Sequence, residues 1–299
     1  VEPAWQRVPG RWEEQDAELL MEMKVILAED LRQSPPFPEV VGQRCMLRFL
    51  RGHKRDVGRA AAMMARMLQW RRDNGVDAIR QDIVLNKLYH PSLFPFGETV
   101  MKHYPFMMAS PLCTDAKGNP LSYEGYSFSP RLVQEELKDI DHFIVFHIYC
   151  QEWKQMLLNA FSDERERQAL EERQRRRNGA AASPAANGRA AAGAAIRPSD
   201  SRGKFDPIDA PATCAGRDHS CDATVNSDCD DGAGNGGGNS SSGGGEATWG
   251  QIVRNTIIRD LSGFGLEHAG PTGREIIRKV MEVSQDNYPE KMEAGYIVN

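Results

Sequence analysis

The composition of residues 178–250 constrains this chain more than any other feature. The segment is rich in Ala, Gly, Ser, Asn and Asp, and it contains the run Gly236-Gly-Gly-Asn-Ser-Ser-Ser-Gly-Gly-Gly245. Such a composition cannot bury enough apolar surface to offset the entropy that the backbone loses on ordering. We therefore predict that residues 178–250 are disordered and that the hydrophobic core comes from the patterned residues on either side.

The residues before this segment predict a small helical bundle. Apolar residues recur at spacings of three and four over about residues 13–32, which is typical of an amphipathic helix. A short helix follows over residues 45–52, and Asp56 is a suitable N-cap for a third helix that ends at Asn74-Gly75. The apolar positions of the three helices are Leu20, Met23, Leu27 and Leu31, then Met46, Phe49 and Leu50, then Val57, Ala60, Ala61, Met64, Met67, Leu68 and Trp70.

From Tyr104 onward the pattern indicates both strands and helices. The turn residues Asp115-Ala-Lys-Gly-Asn119 precede Pro120-Leu-Ser-Tyr-Glu124, which predicts a hairpin leading into a sheet strand. A helix with an apolar face is predicted beyond Asp139 and continues, increasingly charged, through Arg177. Its inward positions are Phe143, Phe146, Cys150, Trp153 and Leu157.

Beyond the low-complexity segment we predict a strand, a helix and a second strand. The first strand covers residues 252–261, and Thr272 with Glu275 offers a capping box for the helix. The second strand covers residues 295–299. Because parallel strands are joined by such a crossover, we expect the two strands to be parallel and buried.

Composition and charge exclude several classes of protein. The chain has 299 residues, of which 40% are hydrophobic and 26% charged, as in soluble globular domains. Its net charge of −5 argues against a nucleic-acid partner. No apolar run approaches the ~20 residues of a spanning helix, so membrane contact must be peripheral. The six cysteines show no compact disulfide framework, which favours an intracellular setting.

Two stretches of the chain carry recognisable motifs. The first runs Leu47-Arg-Phe-Leu-Arg-Gly-His-Lys-Arg-Asp-Val57 and continues to Trp70-Arg-Arg-Asp-Asn-Gly-Val-Asp77. The second runs from Ile257-Ile-Arg-Asp-Leu-Ser-Gly-Phe-Gly-Leu266 through Ser284-Gln-Asp-Asn-Tyr-Pro-Glu-Lys-Met292 to Tyr296-Ile-Val-Asn299. In this order they resemble the CRAL-TRIO lipid-transfer family, and in particular its yeast-type phosphatidylinositol/phosphatidylcholine transfer proteins.

The resemblance implies an α/β fold with two parts. An N-terminal helical bundle would occupy residues 13–80, and a CRAL-TRIO α/β domain with an apolar lipid pocket would occupy residues 88–299. Residues 178–250 would then be an insertion within the second domain. In the family this domain continues beyond the strand that ends here at Asn299. We therefore expect an incomplete domain that does not transfer lipid by itself.

The resemblance also implies a function. It is the binding of phosphatidylinositol or another hydrophobic lipid and its transfer between membranes, by a carrier that is not an enzyme and needs no cofactor. We expect a cytoplasmic monomer that touches membrane surfaces transiently and binds no nucleic acid. The alternative is a module that senses lipid or docks a partner within a signalling or trafficking protein.

Four residues are candidates for contact with a lipid headgroup. On composition alone, the basic run after Phe49 would be a solvated helix end. In the family a basic pair at this place holds an inositol phosphate, and it aligns here with His53 and Lys54. A histidine cannot make the bidentate phosphate contact of the usual arginine. Glu290 and Lys291 match the family's Tyr-Pro-Glu-Arg motif, whose acid coordinates the headgroup, although Glu290 would equally well start a turn.

Five residues are candidates for the lipid pocket. The hairpin before Glu124 resembles the family's Asp-x-x-Gly-Arg-Pro hairpin, whose strand lines the cavity, so Ser122, Tyr123 and Glu124 are candidates. Tyr123 points away from its two neighbours. Ile257 and Ile297 are expected in adjacent or near-adjacent buried strands. A strand tyrosine is more often simply a core residue.

Other kinds of site lack support. Gly263 and Gly265 follow a predicted strand, but His268 stands where a dinucleotide-binding motif requires a third glycine. Phosphate-loop and hydrolase-elbow motifs do not occur. The spacing of Cys214, His219, Cys221 and Cys229 fits no standard zinc module. We predict no catalytic residues and no metal.

Overall fold

A computed structural model describes residues 14–126, 129–181, 252–289 and 291–299, all within one compact unit. It combines helices with a single mixed sheet. The helices are α1 (Glu14–Ile26), α2 (Ala28–Gln33), α3 (Pro38–Val41), α4 (Gln43–Gly52), α5 (Val57–Asp73), α6 (Val76–Leu85), α7 (Gly97–His103), α8 (Pro130–Leu137), α9 (Ile140–Ala181) and α10 (Pro271–Asn287). The strands are β1 (Phe106–Thr114), β2 (Pro120–Gly125), β3 (Asn255–Asp260) and β4 (Met292–Val298).

Helices α1 to α5 share one hydrophobic cluster. All four apolar residues predicted for the first helix are buried, but that helix occurs as two, because Leu27 departs from helical geometry with ψ near 6°. The break is local, since the amide of Leu27 still donates to Met23 O and the amide of Leu31 to Leu27 O. The predicted third helix is confirmed: Asp56 Oδ1 accepts from the amide of Arg59 at 3.0 Å.

Helix α4 is the central element of this cluster. Every residue from Gln43 to Leu50 is buried, so a helix with a polar face is enclosed on all sides. Its two arginines are satisfied by distant groups. Arg44 pairs with Glu166 at 2.8 Å, and Arg48 donates to the carbonyl of Val253, also at 2.8 Å. The helix therefore ties the N-terminal bundle to α9 and to the chain that enters β3.

The sheet has the order β1-β2-β3-β4. Strands β1 and β2 are antiparallel and form the predicted hairpin, in which Asp115 Oδ1 accepts from the amide of Asn119 at 2.8 Å. Gly118 occupies the left-handed region there, with φ of +77°. Strands β2, β3 and β4 are parallel, so the predicted parallel relation of the last two strands is confirmed.

Two expectations about this C-terminal part are wrong. Thr272 and Glu275 form no capping box, because Gly270 is the N-cap of α10 and Pro271 its first residue. Thr272 instead donates to Gln134 of α8 at 2.8 Å. The last strand is not buried: the side chain of Ile297 is 70% exposed, since β4 is an edge strand in the part of the chain that the structure describes.

Among the residues that the structure describes, the sheet has one covered face and one open face. Phe106, Glu124 and Arg259 are paired across three strands and therefore point to the same side. Phe106 packs edge-on against Phe146 of α9, with 5.7 Å between ring centroids, so this is the covered face. The opposite, open face carries Met107, Tyr123, Ile258, Tyr296 and Val298.

Helix α9 supports the covered face and organises a second hydrophobic cluster with residues of α6, α7, α8 and α10. Phe143, Phe146 and Cys150 are buried as predicted. The helix continues to Ala181, so residues 178–181 are helical rather than the start of a disordered segment. Residues 182–250 lie outside the described residues. No described helix has the length and apolar character needed to cross a bilayer.

Candidate functional site

The basic run after Phe49 forms a tight turn that a buried carboxylate holds in place. Asp16 of α1 accepts from Arg51 at 2.8 Å and from Arg55 at 2.7 Å. Burial opposes ionisation of Asp16, but the hydrogen bonds from Arg55 and Arg51 outweigh it and the pKa of Asp16 lies below its ordinary value. Arg51 and Arg55, two cations of this run, are thus engaged with a structural partner.

The predicted basic pair lies in the same turn. His53 caps α4, with its Nδ1 2.9 Å from the carbonyl oxygen of Phe49. Lys54 is exposed and has a left-handed backbone, with φ of +55°. Of the pair, Lys54 is therefore the residue that presents its charge to solvent.

A buried ionic cluster lies where α5, α9 and the end of α10 meet. Arg71 and Glu152 are 1% and 0% exposed and form a bidentate pair with distances of 2.8 and 2.9 Å. The hydroxyl of Tyr288 donates to Glu152 Oε1 at 2.6 Å, and Arg71 also contacts Asp77 at 2.7 Å. Tyr288, which opens the Tyr-Pro-Glu-Lys motif, is therefore an interior residue.

The charges of this cluster stabilise one another. Burial raises the pKa of Glu152, but the charge and hydrogen bonds of Arg71 outweigh this, and the net effect is a pKa below the ordinary value. Burial and the negative charge of Glu152 raise the pKa of Tyr288 well above its usual range, so its hydroxyl remains a donor. The charges of Arg71 and Glu152 are thus balanced only when both residues are present, and the Tyr288 hydroxyl adds a hydrogen bond to the pair.

Lys291 is turned toward this cluster. Its Nζ lies 3.8 Å from the centre of the Tyr288 ring and donates to the carbonyl of Gln151 at 3.4 Å. Burial, together with the nearby charges of Lys154 and Arg48, lowers the pKa of Lys291 well below its usual value despite the attraction of Glu152. Glu290, the other candidate of the motif, lies outside the described residues.

His147 of α9 is half-buried and faces α10. Its Nε2 lies 2.8 Å from the hydroxyl oxygen of Ser284 on α10. Burial, followed by the charges of Lys154 and Lys291, lowers the pKa of His147 from 6.5 to about 3. The folded protein therefore keeps this ring neutral at acidities where the unfolded chain protonates it.

This shift predicts a loss of stability in acid. Below pH 6.5 the His147 ring binds a proton in the unfolded state but not in the folded state. The free energy of unfolding therefore falls as the pH falls from 6.5 toward 3, by at most about 1.4 kcal/mol per pH unit. We expect His147→Gln to flatten the dependence of unfolding free energy on pH in this window. Urea unfolding at several pH values measures it, with the exposed His90→Gln as control. A variant as steep as the wild type would contradict the assignment.

The predicted pocket residues divide between the two faces of the sheet. Ser122, Glu124 and Ile257 lie on the covered face, where Ser122 donates to Asn255 Oδ1 at 3.1 Å and Glu124 pairs with Arg259 at 3.0 Å. Tyr123 lies on the open face and donates to Asp260 at 2.9 Å. Ile297 shares the row of Glu124 but is exposed at the edge.

Two of the small cavities among the described residues have volumes of about 10 and about 20 Å³. The first lies between α4 and α9 and is lined partly by Arg44, Arg48 and Lys291. The second is apolar and is lined by residues of the loop after β3 and of α10. Either holds about one water molecule, so a lipid would require a different space.

Comparison with known proteins gives three relatives of one kind. No protein-family model matches the chain. The phosphatidylinositol/phosphatidylcholine transfer proteins SFH7 and SFH4 of Arabidopsis thaliana are 22% and 21% identical to it, over 85% and 88% of this chain and 29% and 28% of their own lengths. SFH9 of the same plant is 28% identical over 34% of this chain and 16% of its own length. The chain thus spans less than a third of each of these relatives.

Sequence reasoning missed the partners that organise the site. Glu152 is a single acid within the apolar pattern of α9, and Arg71 lies in the Trp-Arg-Arg sequence that ends the third predicted helix. An acid at a buried position of an apolar face is the signal that could have predicted a paired cation. Cys214, His219, Cys221 and Cys229 lie outside the described residues.

Proposed function

We propose that this chain is the lipid-carrying region of a CRAL-TRIO protein that transfers phosphatidylinositol or another phospholipid between membranes. The observation that carries the proposal is the similarity to two phosphatidylinositol/phosphatidylcholine transfer proteins over more than four fifths of this chain. The basic turn at residues 53–55 and the Tyr288-Pro-Glu-Lys291 motif add residues suited to a phosphate-bearing headgroup.

The open face of the sheet is the place that we assign to the acyl chains. Its apolar residues are uncovered among the described residues: Tyr296 is 59% exposed, Val298 40% and Met107 36%. Parallel strands are normally covered on both faces. An acyl chain gains about 0.8 kcal/mol for each methylene group that it buries, so a bound lipid would supply that cover.

The headgroup would lie at the basic turn. Lys54 is exposed there, while Arg51 and Arg55 are held by Asp16 and keep the turn in shape. Glu290 is the acidic partner that we assign from the motif. Lys291 would have to leave the ring of Tyr288 to reach a phosphate, so we rank Lys54 and Glu290 before Lys291 and His53 as headgroup ligands.

Two measurements test this function. The protein is purified from its natural source, its bound lipids are identified by mass spectrometry, and transfer of fluorescent phospholipids between vesicles is followed. We expect a stoichiometric phospholipid and measurable transfer. A protein that binds lipid without moving it would fit the alternative, a lipid-sensing module, and a protein without bound or transferable lipid would overturn the proposal.

Replacing Glu290 with alanine is expected to lower phosphatidylinositol transfer about tenfold while changing phosphatidylcholine transfer little. The reason is that a hydrogen bond to a charged group is worth about 1.5–3 kcal/mol, and this acid would orient a polar headgroup rather than an acyl chain. Glu282→Ala, which removes an exposed acid of α10, is the matched control. Equal loss for both lipids would assign Glu290 a structural role instead.

A further inference from the structure

The loop between β3 and α10 presents an apolar surface that no described element covers. Leu266 is 93% exposed, Phe264 46%, and Ile277 and Met281 of α10 are 43% and 44% exposed. We call these four residues the loop patch. Phe264 and Ile277 line one small cavity and are therefore neighbours. Exposed apolar side chains grouped in one region of the surface mark an interaction site.

The loop is built to hold this surface in place. The amide of Phe264 donates to the carbonyl of Leu261 at 2.8 Å, and its ring stacks on buried His268 with 4.6 Å between centroids. The amide of Gly265 donates to His268 Nδ1 at 3.1 Å. Leu266 is carried at the turn between these two anchors. The hydrogen bonds of the loop therefore hold Leu266 in its exposed position, and no other element has to move to expose it.

Charge next to the loop patch is complementary to an anionic surface. Arg274, Ile277 and Met281 recur at spacings of three and four, so they share one face of α10. Arg274 is exposed and forms no ion pair with any described residue. The acid beside Leu266, Glu267, accepts a hydrogen bond from Ser129 at 2.6 Å. Arg274 thus places a cation beside the apolar surface, and the carboxylate of Glu267, which keeps its charge, is held by Ser129.

The loop patch also adjoins the open face of the sheet. Where the loop begins, the amide of Leu261 donates to the carbonyl of Val298, an open-face residue, at 3.0 Å. Leu266 protrudes from the loop patch and lines neither of the two small cavities. A protruding side chain suits a fluid apolar layer, which needs no matching shape, better than it suits a rigid protein partner.

We infer that the loop patch inserts into the surface of an anionic phospholipid bilayer, with Arg274 at the level of the headgroups. This inference rests on the proposed function, because it names the surface at which a carried lipid would enter or leave. It can nevertheless be measured without lipid transfer, as binding of the protein to vesicles.

The test is sedimentation of the protein with vesicles of phosphatidylcholine, with and without phosphatidylserine. We expect Leu266→Glu to weaken binding to both kinds of vesicle by about tenfold or more, since a buried leucine side chain is lost. We expect Arg274→Ala to weaken binding about fivefold, on phosphatidylserine vesicles only. Leu85→Glu, at a leucine that is 77% exposed on α6, and Arg66→Ala, at an exposed arginine of α5, should bind as the wild type does.

The outcomes separate the two proposals. Wild-type protein that does not sediment with either vesicle, or Leu266→Glu that sediments equally well, would overturn the inference. A loop patch that binds a protein partner instead of a bilayer would likewise leave the protein unsedimented, and this result would also overturn the inference. Loss of vesicle binding in Leu266→Glu, with the purified variant still carrying phospholipid, would support the inference and leave the carrier function intact. Vesicle binding by wild-type protein that carries no lipid would overturn only the function.

Discussion

Glu152→Ala is expected to lower the free energy of unfolding by about 3–5 kcal/mol, because it leaves the buried guanidinium of Arg71 without its main counter-charge. It also removes the acceptor of the Tyr288 hydroxyl. Chemical denaturation followed by circular dichroism measures the change. The matched control is Glu171→Ala, which removes an exposed glutamate of the same helix that pairs with Arg167, and exposed pairs contribute about 0–1 kcal/mol.

The same cluster predicts how a double variant behaves. When Arg71→Met is combined with Glu152→Leu, neither member of the buried bidentate pair is left without its counter-charge, so the loss should be smaller than for Glu152→Ala. A double variant as unstable as the single one would mean that packing, and not charge balance, determines the cost. A stability loss in Glu152→Ala no larger than in the control would contradict the cluster itself.

Leu47→Ala is expected to lower the free energy of unfolding by about 2–5 kcal/mol. Leu47 is 0% exposed at the centre of α4, the helix that is enclosed on all sides, so the lost methyl groups leave a cavity that the neighbouring helices cannot close. Leu85→Ala makes the same chemical change at a leucine that is 77% exposed and should cost little. Thermal and urea unfolding of both variants would show the contrast, and equal losses would rule out a central α4.

The buried cluster also changes how the Tyr-Pro-Glu-Lys motif is understood. Its tyrosine bonds to a glutamate of α9, and that glutamate holds an arginine of α5. The segment that enters β4 is thereby attached to the N-terminal bundle. Motif residues that resemble a ligand site thus divide into an anchoring part, Tyr288 and Lys291, and a candidate headgroup part, Glu290.

Periodicity alone was enough to predict several elements. The third predicted helix was set by local signals, because each depends on residues within one or two helical turns. These signals are the apolar positions from Val57 to Leu68, the N-cap Asp56 and the stop at Asn74-Gly75. The hairpin turn at Asp115-Ala-Lys-Gly-Asn119 is local in the same sense, since the aspartate bonds amides two and four residues ahead. These predictions hold in the structure.

Tertiary structure decided what local signals leave open. Arg71 and Glu152 are 81 positions apart, so their pairing appears in no local pattern, and neither does the attachment of Arg51 and Arg55 to Asp16. The last strand, which contains Ile297, has the composition of a buried strand. Whether Ile297 is buried nevertheless depends on which strands and helices lie beside it. A sequence of this kind determines where helices and strands form. Which charges are neutralised and which apolar faces stay open depends on contacts between segments far apart in the chain.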